Sequence, residues 1–293
     1  MTDRQSRRAR ELAKRRATRG RGAPPPRRSL MPWIVAGLGV VVGLALVVAI
    51  GGGGKKHPAA QPAPSALVRQ VTSVPTSAFD AVGAGDIQHW PSALSAPAET
   101  REGKPVVLYV GAEYCPYCAA ERWAMITALS RFGTFAHLST THSSSTDVFA
   151  STPTFTFHGS TFTSDYLVFE PVETAGNELS GGTYPPLETP TAHQEQLVQT
   201  YDAPPLTDTS GAIPFLFIGG KYGVSGAMYD PGLFAGKNHD EIASAMHDPS
   251  SKIARSVLAA ANGLSAAICA TTGDQPASVC SSAGVVAARA NLD

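Results

Sequence analysis

The stretch Tyr114-Cys115-Pro116-Tyr117-Cys118 decides how the chain can be interpreted. Two cysteines with two residues between them are typical of a thiol–disulfide exchange site. The motif follows an apolar run, residues 104–111, which is rich in β-branched residues and predicts a buried strand. A helical pattern then continues to about Ser130, and a proline suits the first turn of such a helix. The motif is therefore predicted at the junction between a strand and a helix.

The predicted position of Cys115 at a helix N-terminus favours its thiolate. Unpaired amide N–H groups and the positive end of the helix dipole face a sulfur at that position. The thiolate is the species that attacks a disulfide. Cys118 lies one turn further along, close enough to form a disulfide after a small adjustment. We therefore predict Cys115 as the exposed nucleophile and Cys118 as the thiol that resolves the mixed disulfide.

Other roles for this cysteine pair are half of a zinc site, an inert structural disulfide or two unreactive thiols. The other two cysteines, Cys269 and Cys280, do not form a second closely spaced pair, and the eight histidines show no paired ligand spacing. No metal and no cofactor are therefore expected. The inert disulfide stays open as an alternative, whereas an oxidising compartment would disfavour a pair that is reduced and silent.

A second signal is the segment from Ile213-Pro214 to Ser225. Two apolar runs in it are separated by Gly219 and Gly220, which supply the positive φ values that a tight hairpin turn requires. A proline is tolerated at the start of a strand. The segment is therefore predicted as a β-hairpin with a Gly-Gly turn.

With both elements in place, the chain resembles the thioredoxin superfamily, and its Cys-Pro-Tyr-Cys tetrad is similar to the glutaredoxin version. The resemblance implies an α/β, thioredoxin-like fold in which Cys115 is the nucleophile and Cys118 the resolving thiol. It also implies a cis bond before Pro214 and a backbone at Ile213 that an extended substrate can contact. The substrate-binding residues would then be Pro116, Tyr117, Ile213 and Pro214.

More narrowly, residues 113–123 and the C-terminal Ile268-Cys269 and Cys280 resemble the bacterial DUF929 family, a domain of unknown function, over nearly the whole region after residue 53. Two departures from thioredoxins stand out. Thioredoxins have a tryptophan before the first cysteine, and this chain has Tyr114 there. They also have a buried aspartate in the preceding strand, whereas residues 104–112 of this chain contain no carboxylate. The nearest acid is Glu113, which we expect to be a solvated loop residue rather than a proton acceptor for the resolving thiol.

The N-terminal region predicts a membrane anchor. Residues 1–30 carry eleven Arg or Lys and two acids without apolar periodicity, so a disordered tail is expected. Residues 31–53 are uncharged and long enough to cross a bilayer as one transmembrane helix. The positive-inside rule places the tail in the cytoplasm and the rest of the chain outside. A topology signal explains the basic tail better than nucleic-acid binding, and a cleaved signal peptide is the alternative to an anchor.

Residues 54–66 are predicted as a flexible tether, and residues 67–293 as one extracytoplasmic domain. Within it, an insertion at about 141–190 should contain a β-hairpin from Thr154 to Phe169, whose aromatic side chains we expect to form the packed face of a sheet. A C-terminal helical extension should begin at Asp248-Pro249. The expected structural disulfide between Cys269 and Cys280 has a second redox pair as its alternative.

Together these features predict a membrane-anchored extracytoplasmic thiol–disulfide oxidoreductase, an oxidant or isomerase of exported proteins. Its expected partners are exported polypeptides with thiols or disulfides, the lipid bilayer through residues 31–53 and a membrane redox partner, with no nucleic acid. The alternative is a redox-inactive thioredoxin-like scaffold that binds a partner in the cell envelope.

Overall fold

The structure is a computed structural model that describes residues 60–292. The predicted tail at 1–30, the predicted transmembrane helix at 31–53 and residues 54–59 of the predicted tether lie outside the described residues. The described part is a mixed α/β structure with strands in several sheets and eight α-helices.

The strands are short, apart from two that lie side by side in the largest sheet. In chain order they are β1 (Gln61–Pro62), β2 (Ser92–Ala93), β3 (Thr100–Arg101), β4 (Lys104–Gly111), β5 (Gly133–Ala136), β6 (Ser139–His142), β7 (Pro153–Thr156), β8 (Thr161–Ser164), β9 (Val168–Glu173), β10 (Phe215–Ile218) and β11 (Tyr222–Ser225). The helices are α1 (Ser65–Thr72), α2 (Thr76–Val82), α3 (Pro116–Leu129), α4 (Ala192–Tyr201), α5 (His239–Ala245), α6 (Lys252–Thr271), α7 (Ala277–Cys280) and α8 (Ala283–Arg289).

The apolar strand β4 lies at the centre of the largest sheet. It pairs in parallel with β9 on one side and antiparallel with β10 on the other, and β11 and β2 continue the sheet beyond β10. The register places Gly111, the last residue of β4, opposite Glu173, the last residue of β9. Residues 106–111 are buried, as expected for a strand covered on both faces. The buried strand predicted before the cysteine motif is confirmed.

The helix predicted after the motif is also confirmed, and it runs through the middle of the molecule. Every residue of α3 except Tyr117 is buried, and its core side chains include Trp123 and Ile126. On one side α3 packs against the long helix α6. Such a helix has no polar face, so its two charged residues, Glu121 and Arg122, are buried with it.

Helix α6 is apolar because it is a core helix. Within residues 60–292 it is the one helix whose length and hydropathy would allow it to cross a membrane, and 83% of its apolar window is buried inside the fold. Ser251 caps it by accepting a hydrogen bond from the N–H of Ala254. The predicted start at Asp248-Pro249 is therefore wrong by one turn, because the Asp248 carboxylate bonds to Ser250 instead.

The region predicted as an insertion at about 141–190 is arranged differently from our expectation. The hairpin predicted from Thr154 to Phe169 does not form, since β7 pairs with β6, β8 pairs with β5, and β9 joins the central sheet. Its aromatic side chains do pack on one another: Phe157 contacts Phe169 edge to face, with ring centroids 5.0 Å apart. The end of the predicted tether is ordered as well, because β1 pairs with β6.

Candidate functional site

The predicted hairpin brings Ile213-Pro214 beside the cysteine motif. It consists of β10 and β11, with Gly219 and Gly220 at φ +57° and +79° in a turn that also includes Lys221. The peptide bond before Pro214 is cis, and the Pro214 carbonyl accepts a hydrogen bond from the N–H of Gly226. The hairpin is confirmed, and β10 lies directly against β4, which leads into the motif.

Cys115 is the N-cap residue of α3, and its sulfur lies among hydrogen-bonding groups. The sulfur accepts from the backbone N–H of Cys118 at 3.4 Å, and the thiol donates to the carbonyl of Ile213 at 3.6 Å. Helix N-terminal N–H groups that face a sulfur favour its anion. The two ends of the predicted site, 98 residues apart in sequence, therefore meet at one sulfur atom.

The two thiols are free and electrostatically unequal. The pKa of Cys115 is lowered, first because the Cys118 thiol donates a hydrogen bond to its sulfur; burial opposes this effect, and the Cys118 N–H and the Arg122 charge add to it. The pKa of Cys118 is raised well above its ordinary value, first by burial and then by its hydrogen bond to Cys115. The pair can thus hold one negative charge, on Cys115.

The predicted exposure of Cys115 is wrong. Only 6% of the residue is accessible, and Cys118 is fully enclosed. Tyr117 is the exposed residue of the motif, at 42%, and its ring meets that of Phe149 edge to face. On another side Tyr114 stacks on Tyr184 with ring centroids 4.2 Å apart. Cys115 is therefore almost enclosed, whereas its neighbour in the motif, Tyr117, is exposed.

A cavity of about 320 Å³ opens beside Tyr117. Its other walls come from the end of β11, the chain that follows it and the loop before β2, and they include His89, Ser225, Gly226 and Asp230. Of the other residues predicted to bind substrate, Pro116 is buried in the first turn of α3 and Ile213 is half-buried. Tyr117 is the residue of the motif that lines this cavity.

A buried ion pair that the sequence analysis did not predict lies beneath the motif. The Arg122 guanidinium donates through Nε and Nη2 to the two carboxylate oxygens of Glu173, each at 2.7 Å, and Nη2 also donates to the carbonyl of Ala112. Both side chains are inaccessible to solvent. Arg122 lies one helical turn beyond Cys118, and its guanidinium carbon is 5.9 Å from the centre of the Tyr109 ring.

Glu113 is also buried, at 5% exposure, so the expectation of a solvated loop acid is wrong. Its backbone N–H donates to the carbonyl of Ala175, which draws the residue into the fold. Burial raises its pKa, and a hydrogen bond with Thr156 and the Arg122 charge oppose the increase. The signal that sequence reasoning missed is the Glu-Arg pair at 121–122 inside an apolar helix, since charges there need buried partners.

Cys269 and Cys280 are joined by a disulfide with 11 residues of sequence separation, which links the end of α6 to α7. The segment it closes runs from the end of α6 through a turn to α7. Among residues 60–292, no group of three or more His, Cys, Asp or Glu side chains could hold a metal ion.

Comparison with known proteins gives one match. Residues 94–181 match the model of a family described as a domain of unknown function, DUF929, which confirms the resemblance to that family over this stretch. The match includes the cysteine motif and Glu173, but Ile213-Pro214 and the C-terminal disulfide lie outside it. No curated protein and no solved structure matches the chain. The family description states no activity, so the function has to be argued from the site itself.

Proposed function

We propose that the protein is a thiol–disulfide oxidoreductase that oxidises or isomerises exported proteins. The observation that carries the proposal is the inequality of the two thiols: Cys115 has a lowered pKa at the start of α3, and Cys118, within hydrogen-bonding reach of it, has a raised one. An attacking thiol needs a depressed pKa, and a resolving thiol is best kept protonated until a mixed disulfide exists. An inert structural disulfide needs neither property.

The proposed reaction balances without a cofactor. A substrate thiolate attacks one sulfur of the Cys115–Cys118 disulfide, and Cys118 leaves as the thiolate. A second substrate thiolate then attacks the substrate sulfur of the mixed disulfide, and Cys115 leaves. The substrate gains a disulfide, and the two cysteines keep its two electrons until a membrane redox partner accepts them. In isomerisation, the Cys115 thiolate attacks a wrong disulfide and the substrate resolves it.

A thioredoxin-like fold is part of this proposal. The sheet order β9-β4-β10-β11, with β4 and β9 parallel and the other pairs antiparallel, supports it. So do the cysteine pair at the β4–α3 junction and the cis Ile213-Pro214 bond at the start of β10. Under this assignment the parallel strand is Val168–Glu173, and the inserted region is shorter than 141–190.

We also propose that residues 31–53 anchor the domain outside the cell membrane. The charge-free stretch after a basic tail supports this location, and an oxidising compartment is where a disulfide oxidant is useful. The Cys269–Cys280 disulfide fits the same location. A reporter fused after Asp293 tests it: activity restricted to the cytoplasm would refute the topology.

The redox experiment is equilibration of the purified full chain with glutathione buffers, followed by alkylation of free thiols and mass analysis. We expect Cys115 and Cys118 to titrate as a two-electron couple within the range of about −270 to −120 mV that exchange proteins span. A Cys269→Ser, Cys280→Ser variant should give the same midpoint. If Cys115–Cys118 resists reduction until the protein unfolds, the exchange function is wrong.

The second candidate, a redox-inactive scaffold, is favoured by one observation, the 6% exposure of Cys115. Refolding of a reduced secreted protein separates the two candidates. The oxidised wild-type chain should accelerate disulfide formation, and Cys115→Ser should not. Equal refolding rates with the two proteins would support the scaffold.

A further inference from the structure

Two hydrogen-bond donors beneath the motif have no partner: the hydroxyl of Tyr109 and the Nη1 group of Arg122. Both side chains are fully buried. Buried donors are normally paired, because an unpaired one pays the full cost of leaving water. An unpaired donor beside a reacting sulfur therefore calls for an explanation in the reaction.

Gly111 brings the Tyr109 hydroxyl close to Cys118. A Cβ atom added to Gly111 would lie 2.1 Å from the hydroxyl oxygen and 3.0 Å from the sulfur of Cys118. Both distances are measured from this same Cβ position. The hydroxyl oxygen of Tyr109 and the sulfur of Cys118 can therefore be no further apart than the two distances added together. The ring of Phe157 meets the Tyr109 ring edge to face, with centroids 5.1 Å apart, and keeps the phenol at this place. A side chain at residue 111 would separate the two groups.

Cys118 needs such a donor at one stage of exchange. In the reduced pair its proton is shared with the sulfur of Cys115. When Cys115 is bonded to a substrate in a mixed disulfide, its sulfur no longer carries a negative charge that accepts the Cys118 proton. Cys118 must then become a thiolate at a position that is closed to water. A buried anion is strongly disfavoured unless donors surround it.

We propose that Tyr109 is a positioning residue whose hydroxyl donates a hydrogen bond to the Cys118 thiolate during resolution of the mixed disulfide. The inference rests on the proposed exchange function. Cys118 attacks the sulfur of Cys115 as its thiolate develops; the bond from Cys115 to the substrate breaks, and the substrate sulfur leaves with the electron pair and carries the Cys118 proton out to solvent. Arg122 adds a positive charge from the next turn of α3.

The charged and titratable groups around Cys118 come from three elements and one loop. Cys115 and Arg122 lie on its own helix, Tyr109 on β4, Glu173 on β9, and Tyr114 in the loop before the helix. The Glu173 carboxylate is neutralised by Arg122, so it does not oppose a thiolate strongly. The neutral phenol and the guanidinium can therefore stabilise the anion, together with the backbone N–H of Ala112, which also favours the Cys118 thiolate.

The test uses the reduced full chain and an aromatic disulfide, dithiobis(nitrobenzoate), whose released thiolate is coloured. The attack of Cys115 releases one equivalent and its resolution by Cys118 a second, so the two steps are separate phases. In Tyr109→Phe the second phase should slow by about tenfold to a hundredfold at neutral pH, as expected for a lost hydrogen bond to a charged group. Its midpoint on the pH axis should move up by roughly one to two pH units, while the first phase changes little.

Tyr201→Phe is the matched control, since it removes the hydroxyl of a tyrosine that packs on Phe217 away from the motif; both phases should stay as in the wild type. If Tyr109→Phe does not fold, fluorotyrosine at position 109 replaces it. A fluorinated phenol is the stronger donor, so the second-phase midpoint should move down.

An unchanged second-phase pH profile in Tyr109→Phe, or an unchanged midpoint with fluorotyrosine, overturns the role of Tyr109 and leaves the exchange function intact. A wild-type chain that releases no second equivalent overturns the exchange function, and the role of Tyr109 with it.

Discussion

The buried carboxyl of Glu121 leads to a prediction about how stability depends on pH. It lies on α3, fully enclosed, where one oxygen accepts from the N–H of Met228 at 3.0 Å and the other has no partner. Burial raises its pKa from 4.5 to about 7, and the Met228 hydrogen bond opposes the increase. In the folded protein the carboxyl therefore keeps its proton up to nearly neutral pH.

The direction of the effect follows from the two pKa values of Glu121. Below about pH 4.5 the carboxyl is protonated in both the folded and the unfolded chain, and its contribution is constant. Between about 4.5 and 7 the unfolded chain has released the proton and the folded chain has not, so rising pH favours unfolding. Above about 7 both are ionised and the cost stays. At about 1.4 kcal/mol per pH unit, the total loss is roughly 3 kcal/mol.

Glu121→Gln removes this titration and keeps the shape and the acceptor for Met228. The free energy of unfolding of the variant minus that of the wild type should increase by about 3 kcal/mol between pH 4.5 and 8. Urea denaturation of both full chains across this pH range measures the difference in the free energy of unfolding. Contributions from other titrating groups are the same in both chains and cancel from this difference. Glu195→Gln, the same change at an exposed position on α4, is the matched control.

A pH-independent difference between Glu121→Gln and the wild type would refute the reasoning, because it would mean that the carboxyl is ionised in the fold at all these pH values. A variant that becomes less stable than the wild type as the pH rises would refute it more strongly, since the anion would then be stabilised.

Two further predictions concern the ion pair and the disulfide. Arg122→Met should lower the free energy of unfolding by about 3 to 5 kcal/mol, because it leaves the Glu173 carboxylate buried without its cation. Adding Glu173→Gln should recover part of the loss in the same urea titration, and no recovery would contradict the pairing. Replacing Cys269 and Cys280 together by Ser should cost about 3 kcal/mol for a loop of this size and leave exchange at the motif unchanged. A loss of exchange turnover without a loss of stability would favour the relay interpretation.

The parts of the site that the sequence predicted are those that depend on neighbours along the chain. A β-branched run before Cys115 and a proline after it are sufficient for the strand and the start of the helix. Gly219 and Gly220 likewise determine the hairpin turn, because both adopt positive φ values. These signals are local, and the structure has each element at the predicted place.

The parts that were missed depend on contacts between distant residues. Val168–Glu173 has the composition of a strand, but nothing in its sequence states that it pairs in parallel with β4. The pairing of β9 with β4 places Glu173 next to Arg122, which lies 51 residues earlier in the sequence. It therefore forms the buried ion pair beneath the motif. The burial of Glu113 has the same origin, since the partner of its N–H, Ala175, follows β9.

The arrangement of charges bears on the direction of the proposed reaction. The helix N-terminus and the Arg122 charge stabilise the thiolate of Cys115, which exists only in the reduced state. The disulfide carries no charge and gains nothing from them. Stabilising the reduced form raises the reduction potential, by about 30 mV for each tenfold change in the equilibrium constant. A buried ion pair is weak evidence for stability, because apolar residues of similar volume often stabilise as well or better. The Arg122–Glu173 pair is therefore better explained by its effect on the cysteines than by its effect on stability. Because Arg122 stabilises the reduced form, the pair favours an oxidant over a reductase.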